Sequence, residues 1–209
     1  MIADATVFVV DDDPAVRESL TLLLEQEEFA IMAFESAEAF LAVCAAAPPR
    51  ACVVADISMP GMDGMQLQEE LSRRGVSLPL VFLTGHGDIP MSVRAIKAGA
   101  IDFLTKPITG QALLRSVREA LRESERLSLA AERNESASAR IAALTDRERE
   151  VMELAATGMS NKEIARRLGI SHRTVEIHKA RVMHKTHSDS LLELARIAEA
   201  ARLSTDGRA

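Results

Sequence analysis

Residues 51–64 read ACVVADISMPGMDG. Five small or β-branched apolar residues run without a polar break into Asp56, and a Met-Pro-Gly turn follows. That pattern describes a short strand buried on both faces, with an acid at its carboxyl end. Working outward, the same pattern recurs. Residues 6–10 (TVFVV) lead into Asp11, Asp12 and Asp13, residues 80–83 lead into Thr84, and residues 101–104 stand just before Lys106. Residues 29–34 offer a weaker fifth strand. Between these runs, 15–26, 37–45, 65–74, 89–98 and 111–122 carry helical apolar spacing. Five alternations of strand and helix predict an α/β domain, a five-stranded parallel doubly wound sheet with helices on both faces. In such a sheet the ligand site lies beyond the carboxyl ends of the strands.

The rest of the chain has a different character. Residues 123–140 (ESERLSLAAERNESASAR) lose apolar periodicity but contain no Gly or Pro, which predicts a solvated, partly helical linker with frayed Ser and Asn positions. After it the pattern is all helical: 146–157, 161–168, 172–186 and 189–202. Thr145, Ser160 and Ser171 stand at expected helix starts, and Gly158 and Gly169 at expected stops. The division is therefore 1–121, a linker over 122–140, and an all-α four-helix unit over 141–209.

Charge divides in the same way. The net −6 combines 9 basic and 17 acidic residues over 1–120 with 12 basic and 10 acidic over 141–209. The stretch 160–187 carries 7 basic side chains, 2 acidic ones and four of the five histidines, a local basic face on an acidic protein. Aromatics are 3% with no Trp or Tyr, which argues against base-stacking or sugar-stacking surfaces. Two cysteines, Cys44 and Cys52, make neither a disulfide framework nor a zinc site, so a reducing cytoplasm is expected. The start of the chain lacks a basic region and a long apolar run, so neither leader nor membrane anchor is expected.

The strand-end rule gathers Asp11, Asp12 and Asp56 at one edge, with Thr84 and Lys106 converging on them. Like charges that close need a cation, and oxygen donors without Cys or His favour a hard ion such as Mg²⁺. Cation, ammonium and hydroxyl around one carboxylate suit a phosphoryl group carried on that carboxylate. Asp13 has a simpler reading, as N-cap of the helix that Pro14 opens. Gly61 and Gly64 read as turn residues beside the acid. There is no GKS or GKT, so no nucleotide P-loop. His86 reads as a solvated loop residue.

Residues 161–168, a three-residue turn and 172–186 read as a helix-turn-helix. Val175, Val182 and Thr186 share one side of the second helix; Arg173, Glu176, Ile177 and Ala180 share another, which should face DNA. Lys162, Arg173, Lys179, Arg181 and Lys185 suit phosphates, with Asn161, Thr174 and His178 completing the candidate surface. A basic stripe by itself is usually a solvated face; here the caps and the turn favour DNA.

The strings VFVVDDDPAVRESL, VVADISMPGMDG, LPLVFLTGHGDIPMSVRAIKAGAIDFLTKP and LTDREREVMELAATGMSNKEIARRLGISHRTVEIHKARVMHK resemble two-component response regulators of the FixJ/NarL family, with a LuxR-type helix-turn-helix domain. The resemblance implies a receiver domain in which Asp56 accepts a phosphoryl group from a sensor histidine kinase. It further implies that Asp12, Asp56 and the Ser58 carbonyl hold Mg²⁺, with Asp11 reaching it through water. Thr84 and Lys106 follow the phosphate, Phe103 is the rotating aromatic, and the Lys106–Pro107 bond is cis. Glu176, Ile177 and Ala180 fall at positions that face base edges in similar proteins. Thr186 replaces an expected Leu or Met. The implied function is a transcription factor, an activator and not an enzyme, that dimerises when phosphorylated, binds double-stranded promoter DNA and meets RNA polymerase, with no membrane partner. The surface between 89 and 121, with Met91, Ile96 and Ala98 near Arg94, Lys97 and Asp102, suits pairing with its own copy. An aspartyl-phosphate enzyme is the rival class, but Ser58 stands where a DxDxT enzyme needs its second acid. A regulator that binds DNA without phosphate is another.

Overall fold

The computed structural model describes residues 5–85 and 89–206, with side chains described as far as Ala201. His86 therefore lies outside the described residues. By internal contacts the chain forms two compact units, Met1–Ser128 and Leu129–Ala209.

The first unit contains β1 (Thr6–Val10), α1 (Pro14–Glu25), β2 (Ala30–Phe34), α2 (Ala37–Leu41), a 3-10 turn at Cys44–Ala46, β3 (Ala51–Asp56), α3 (Gly64–Arg73), β4 (Leu80–Thr84), α4 (Ile89–Lys97), β5 (Asp102–Thr105) and the first part of α5 (Gly110–Ala142). The strands are parallel in the order β2-β1-β3-β4-β5. Side chains alternate across a strand. On one face Phe8, Val10, Val53, Ala55 and Phe82 pack with Phe40 of α2, Leu67 and Leu71 of α3 and Ala95 of α4. On the other, Val7, Val9, Cys52, Val54, Val81 and Leu83 pack with Leu20 and Leu24 of α1 and Leu113, Val117 and Leu121 of α5. Cys44 and Cys52 are free, buried and on opposite faces, and burial pushes the Cys52 thiol up to about 12. β2 is an edge strand with no fully buried residue, which explains why its sequence signal is faint.

The segment read as a frayed linker departs from that expectation. Residues 110–142 form one continuous helix, because Ala, Glu, Arg and Leu supply helix propensity throughout and no Gly or Pro interrupts them. Its ends also belong to the units. Buried Ser124 accepts from the Ala51 amide at 3.0 Å and donates to the Pro49 carbonyl at 3.0 Å, while Ala137 packs with Ile197 and Ala201. By contacts the two units meet at Ser128 and Leu129, inside the expected linker 122–140.

The second unit adds α6 (Asp146–Ala156), α7 (Asn161–Leu168), α8 (His172–Thr186) and α9 (Leu191–Asp206) to the last turns of α5. Thr145, Ser160 and Ser171 cap α6, α7 and α8 through their hydroxyls. Gly169 ends α7 in the left-handed conformation that the turn into α8 requires.

Candidate functional site

Two sites follow from these two units. In the first, β1 and β3 are neighbours in register, so Asp11 and Asp56 arrive side by side at the sheet edge, 1% and 5% exposed. Lys106, just past β5, reaches across β4. Its Nζ donates to Asp11 Oδ2 at 2.8 Å and to Asp56 Oδ1 at 2.6 Å. The remaining oxygens are held by the local backbone: Asp11 Oδ1 accepts from the Asp13 amide at 2.9 Å, and Asp56 Oδ2 from the Ser58 amide at 2.7 Å. Burial pulls the Lys106 ammonium toward neutrality, but the two carboxylates outweigh it and hold the pKa above its usual value. Lys106 is itself positioned by its amide, which donates to the Thr84 carbonyl at 2.7 Å, and the Lys106–Pro107 bond is cis.

Thr84 is fully buried at the end of β4. Phe103 is half-buried against Phe82, edge to face with ring centroids 6.4 Å apart. Asp13 caps α1, accepting from the Ala15 amide at 2.8 Å. Asp12 and Ser58 are exposed. Among the described residues no three acidic, His or Cys side chains already form a metal-holding group. The site in this state is a pair of carboxylates sharing one ammonium, with further oxygens at its rim.

Arg17 escapes the sequence reading, and Gly64, read there only as a turn residue, has a tighter role. Arg17 of α1 donates to the Asp11 carbonyl at 2.7 Å and pins the end of β1. Gly64 opens α3 so close under β3 that a Cβ there would lie 2.6 Å from the Asp56 carbonyl. Its amide donates to the Ile57 carbonyl at 3.0 Å. Gly61, with φ of 76°, serves the turn as expected.

The second site is the helix-turn-helix. Val175, Val182 and Thr186 are fully buried, and Arg173, Glu176, Ile177, Ala180 and Arg181 are exposed, so α8 presents the expected face outward. Thr186 fits its buried position by donating its hydroxyl to the Val182 carbonyl at 2.8 Å and bonding the Ser188 hydroxyl at 2.6 Å. Lys162 is exposed; Lys179 donates to Asn161 Oδ1 at 2.9 Å, joining α8 to the start of α7. Thr174 is engaged with Ser171 at the start of α8. His178 is half-buried, and its Nδ1 has no hydrogen-bond partner. Glu176 lies 3.4 Å from His172 Nδ1.

Lys185, expected at a phosphate, is engaged within the unit. Its ammonium donates to Glu148 Oε2 at 2.7 Å and to the Ala143 carbonyl at 3.3 Å. Glu148 is 3% exposed, and its sequence position in the first turn of α6 gave no sign of this pairing beyond its capping-box spacing.

A buried carboxylate pair sharing one lysine at the strand ends of a five-stranded parallel sheet, followed by a helix-turn-helix unit, is the arrangement of a response regulator. Residues 7–118 match the response regulator receiver domain family, and residues 142–198 match the bacterial regulatory proteins of the luxR family. The chain belongs to the response regulators that carry a luxR-type DNA-binding domain, and it is a transcriptional regulator. It is 46% identical to the transcriptional regulatory protein FixJ of Azorhizobium caulinodans, over 92% of this chain and 90% of that one. It is 40% identical to FixJ of Bradyrhizobium diazoefficiens, over 99% and 100%. Among solved structures the response regulator StyR superposes with a TM-score of 0.76 at 43% identity, covering 93% of this chain and 98% of that one. No described helix is long and apolar enough to cross a membrane.

Proposed function

We propose that Asp56 is the phosphoacceptor and that the chain is an activator of transcription switched on by a sensor histidine kinase. The observation that carries this is the sharing of Lys106 between Asp11 and Asp56. A buried carboxylate held by a backbone amide on one oxygen and an ammonium on the other is oriented for attack. In the transfer, an Asp56 oxygen bonds to phosphorus while the bond from phosphorus to the kinase's histidine nitrogen breaks, leaving an acyl phosphate. Lys106 neutralises charge as it develops on the phosphoryl oxygens. Thr84, at the end of the neighbouring strand, and Phe103, beside Phe82, are the groups that follow the new charge.

The donor set fits Mg²⁺: Asp11, Asp12, Asp56 and the Ser58 carbonyl are all hard oxygens. When bound, the ion supplies charge neutralisation that lets an anionic donor approach an acidic edge.

Phosphorylation then favours a homodimer through α4. Ile89, Val93 and Ile96 are 80%, 45% and 47% exposed and share one side of α4, flanked by Arg94 and Lys97. Met91 is instead half-buried on the core, and Asp102 bonds the Phe103 amide and the Ser116 hydroxyl. The dimer places two α8 helices on inverted half-sites of double-stranded DNA, where RNA polymerase is the further partner.

Incubating the protein with acetyl phosphate, with and without Mg²⁺, tests the reading by intact mass. One Mg²⁺-dependent phosphoryl group is expected, and Asp56→Asn should abolish it. Comparable labelling at another residue sinks the assignment, and rapid turnover of the donor would favour an aspartyl-phosphate enzyme.

A further inference from the structure

We propose that Arg140, Glu148 and Lys185 form a clamp that sets the position of the recognition helix α8, so that Lys185 is a positioning residue and not a phosphate contact. The proposal rests on the DNA-binding reading of α8. Within the second unit, the ends of α5 and α8 exchange cations. Arg140, in the last turn of α5, donates to the carbonyl of Thr186, the last residue of α8, at 3.4 Å. Lys185, in the last turn of α8, donates to the carbonyl of Ala143, one residue past the end of α5, at 3.3 Å. The last carbonyls of a helix have no partner within it and mark the negative end of its dipole. Each helix therefore has its orphan end covered by the other's cation.

Glu148 locks the exchange. Its Oε2 takes the Lys185 ammonium at 2.7 Å and the Thr145 amide at 2.9 Å, so one carboxylate caps α6 and anchors α8. The Lys185 ammonium beside it holds its carboxyl far below its ordinary 4.5, at about 2, with the Thr145 amide adding to the effect. For Lys185 to swing onto a DNA phosphate, it would leave a carboxylate that is 3% exposed without its counter-ion. That loss outweighs a solvent-screened phosphate contact. Arg181, one turn earlier and exposed, bears no such tie among the hydrogen bonds and ion pairs of α8 and is the better phosphate ligand.

The clamp is tested by the salt dependence of binding. The full-length protein is titrated onto a fluorescent duplex selected with it from a random pool, at salt from about 50 to 200 mM. Lys185→Met is expected to weaken binding roughly tenfold at every salt with an unchanged slope, the signature of a displaced helix. Arg181→Met should lower the slope by about 0.9. Glu148→Gln combined with Lys185→Met should lose no more than Lys185→Met alone, because the two act as one unit. Should Lys185→Met fail to fold, Arg140→Met carries the test: it removes one peripheral bond and should weaken binding at constant slope, with Arg140→Lys restoring it. A slope lower by about one unit in Lys185→Met overturns the proposal by making Lys185 a phosphate contact. Independent losses in the double variant, or full affinity in folded Glu148→Gln and Arg140→Met, overturn it too.

Discussion

Lys106 Nζ stands 2.6 Å from Asp56 Oδ1, on a nitrogen it also presents to Asp11 at 2.8 Å. Two carboxylates from adjacent strands thus share one cation reached from the far side of β4. Without it, two nearly buried anions would face each other, which the folded state tolerates poorly.

Lys106→Met should therefore lower thermal stability and make it responsive to Mg²⁺, since a cation that binds the folded state stabilises it by mass action. The expected outcome is a larger rise in Tm on adding Mg²⁺ for Lys106→Met than for the wild type. Equal rises would show that the ammonium is not what balances the two acids.

Gly64→Ala tests how tightly α3 approaches β3. The added methyl would meet the Asp56 carbonyl at 2.6 Å, the Ile57 Cα at 3.0 Å and the Phe82 ring at 3.0 Å. Two of these are backbone atoms that have no rotamer to change, so the strand end must shift. A loss of about 1 to 3 kcal/mol is expected in denaturant unfolding, together with slower phosphorylation of Asp56.

Much of this was legible before any coordinates. β1, β3 and β4 announce themselves as unbroken apolar runs, and the parallel order brings the acids that follow β1 and β3 together as the strand-end rule requires. β5, read as a fourth buried strand, is instead an edge strand with no fully buried residue. The caps at Thr145, Ser160 and Ser171 are written in residue type alone. What stayed hidden is what depends on reach. Nothing local to Lys185 says that its ammonium turns inward to Glu148, 37 positions away, or local to Arg140 that it reaches the Thr186 carbonyl at the end of α8. The continuity of α5 was hidden for another reason: Ser and Asn lowered the helical reading, but Ala, Glu, Arg and Leu carry the helix through, and Ser124 and Ala137 are packed on either side of the stretch.

Glu148 gives a dependence on pH with a definite sign. Its folded pKa, near 2, lies below its ordinary 4.5, so the folded state binds the proton more weakly than the unfolded one. Its contribution is fully present above about 4.5 and is lost as pH falls from there toward 2. Thermal melts of wild type and Glu148→Gln should differ most near neutrality and converge toward pH 2. A gap that persists to pH 2 would mean that Glu148 acts by shape and not by charge.

Ile177 is the large apolar residue that α8 leaves exposed beside Ala180 on the face expected to meet DNA, and an apolar side chain there suits a thymine methyl. Ile177→Ala should change sequence preference by roughly 1 to 3 kcal/mol at one base pair while leaving the salt slope alone. Competition binding with single-base operator variants decides it. An unchanged ranking would mean that another face of α8 enters the groove.

The α4 stripe carries the last prediction. Ile89, Val93 and Ile96 are exposed apolar residues on a short helix that leads from β4, whose end is Thr84. A phosphoryl group on Asp56 adds nearly two negative charges at that edge, and Lys106 must divide itself between the phosphate and Asp11. The resulting shift reaches α4 through Thr84 and through Gln68 of α3, whose Nε2 donates to the Ala95 carbonyl at 3.3 Å while its buried Oε1 has no partner. A tether with an unsatisfied acceptor resists displacement weakly, because any rearrangement that gives Oε1 a donor is favoured. Coupling of about 1 to 3 kcal/mol is expected between phosphorylation and pairing of two stripes. Light scattering at equal concentration should then find monomer before phosphorylation and dimer after it. Val93→Asp should keep the protein monomeric while leaving phosphorylation of Asp56 intact. A chain equally dimeric in both forms would separate pairing from phosphorylation, and a Val93→Asp protein that still dimerises would move the interface off α4.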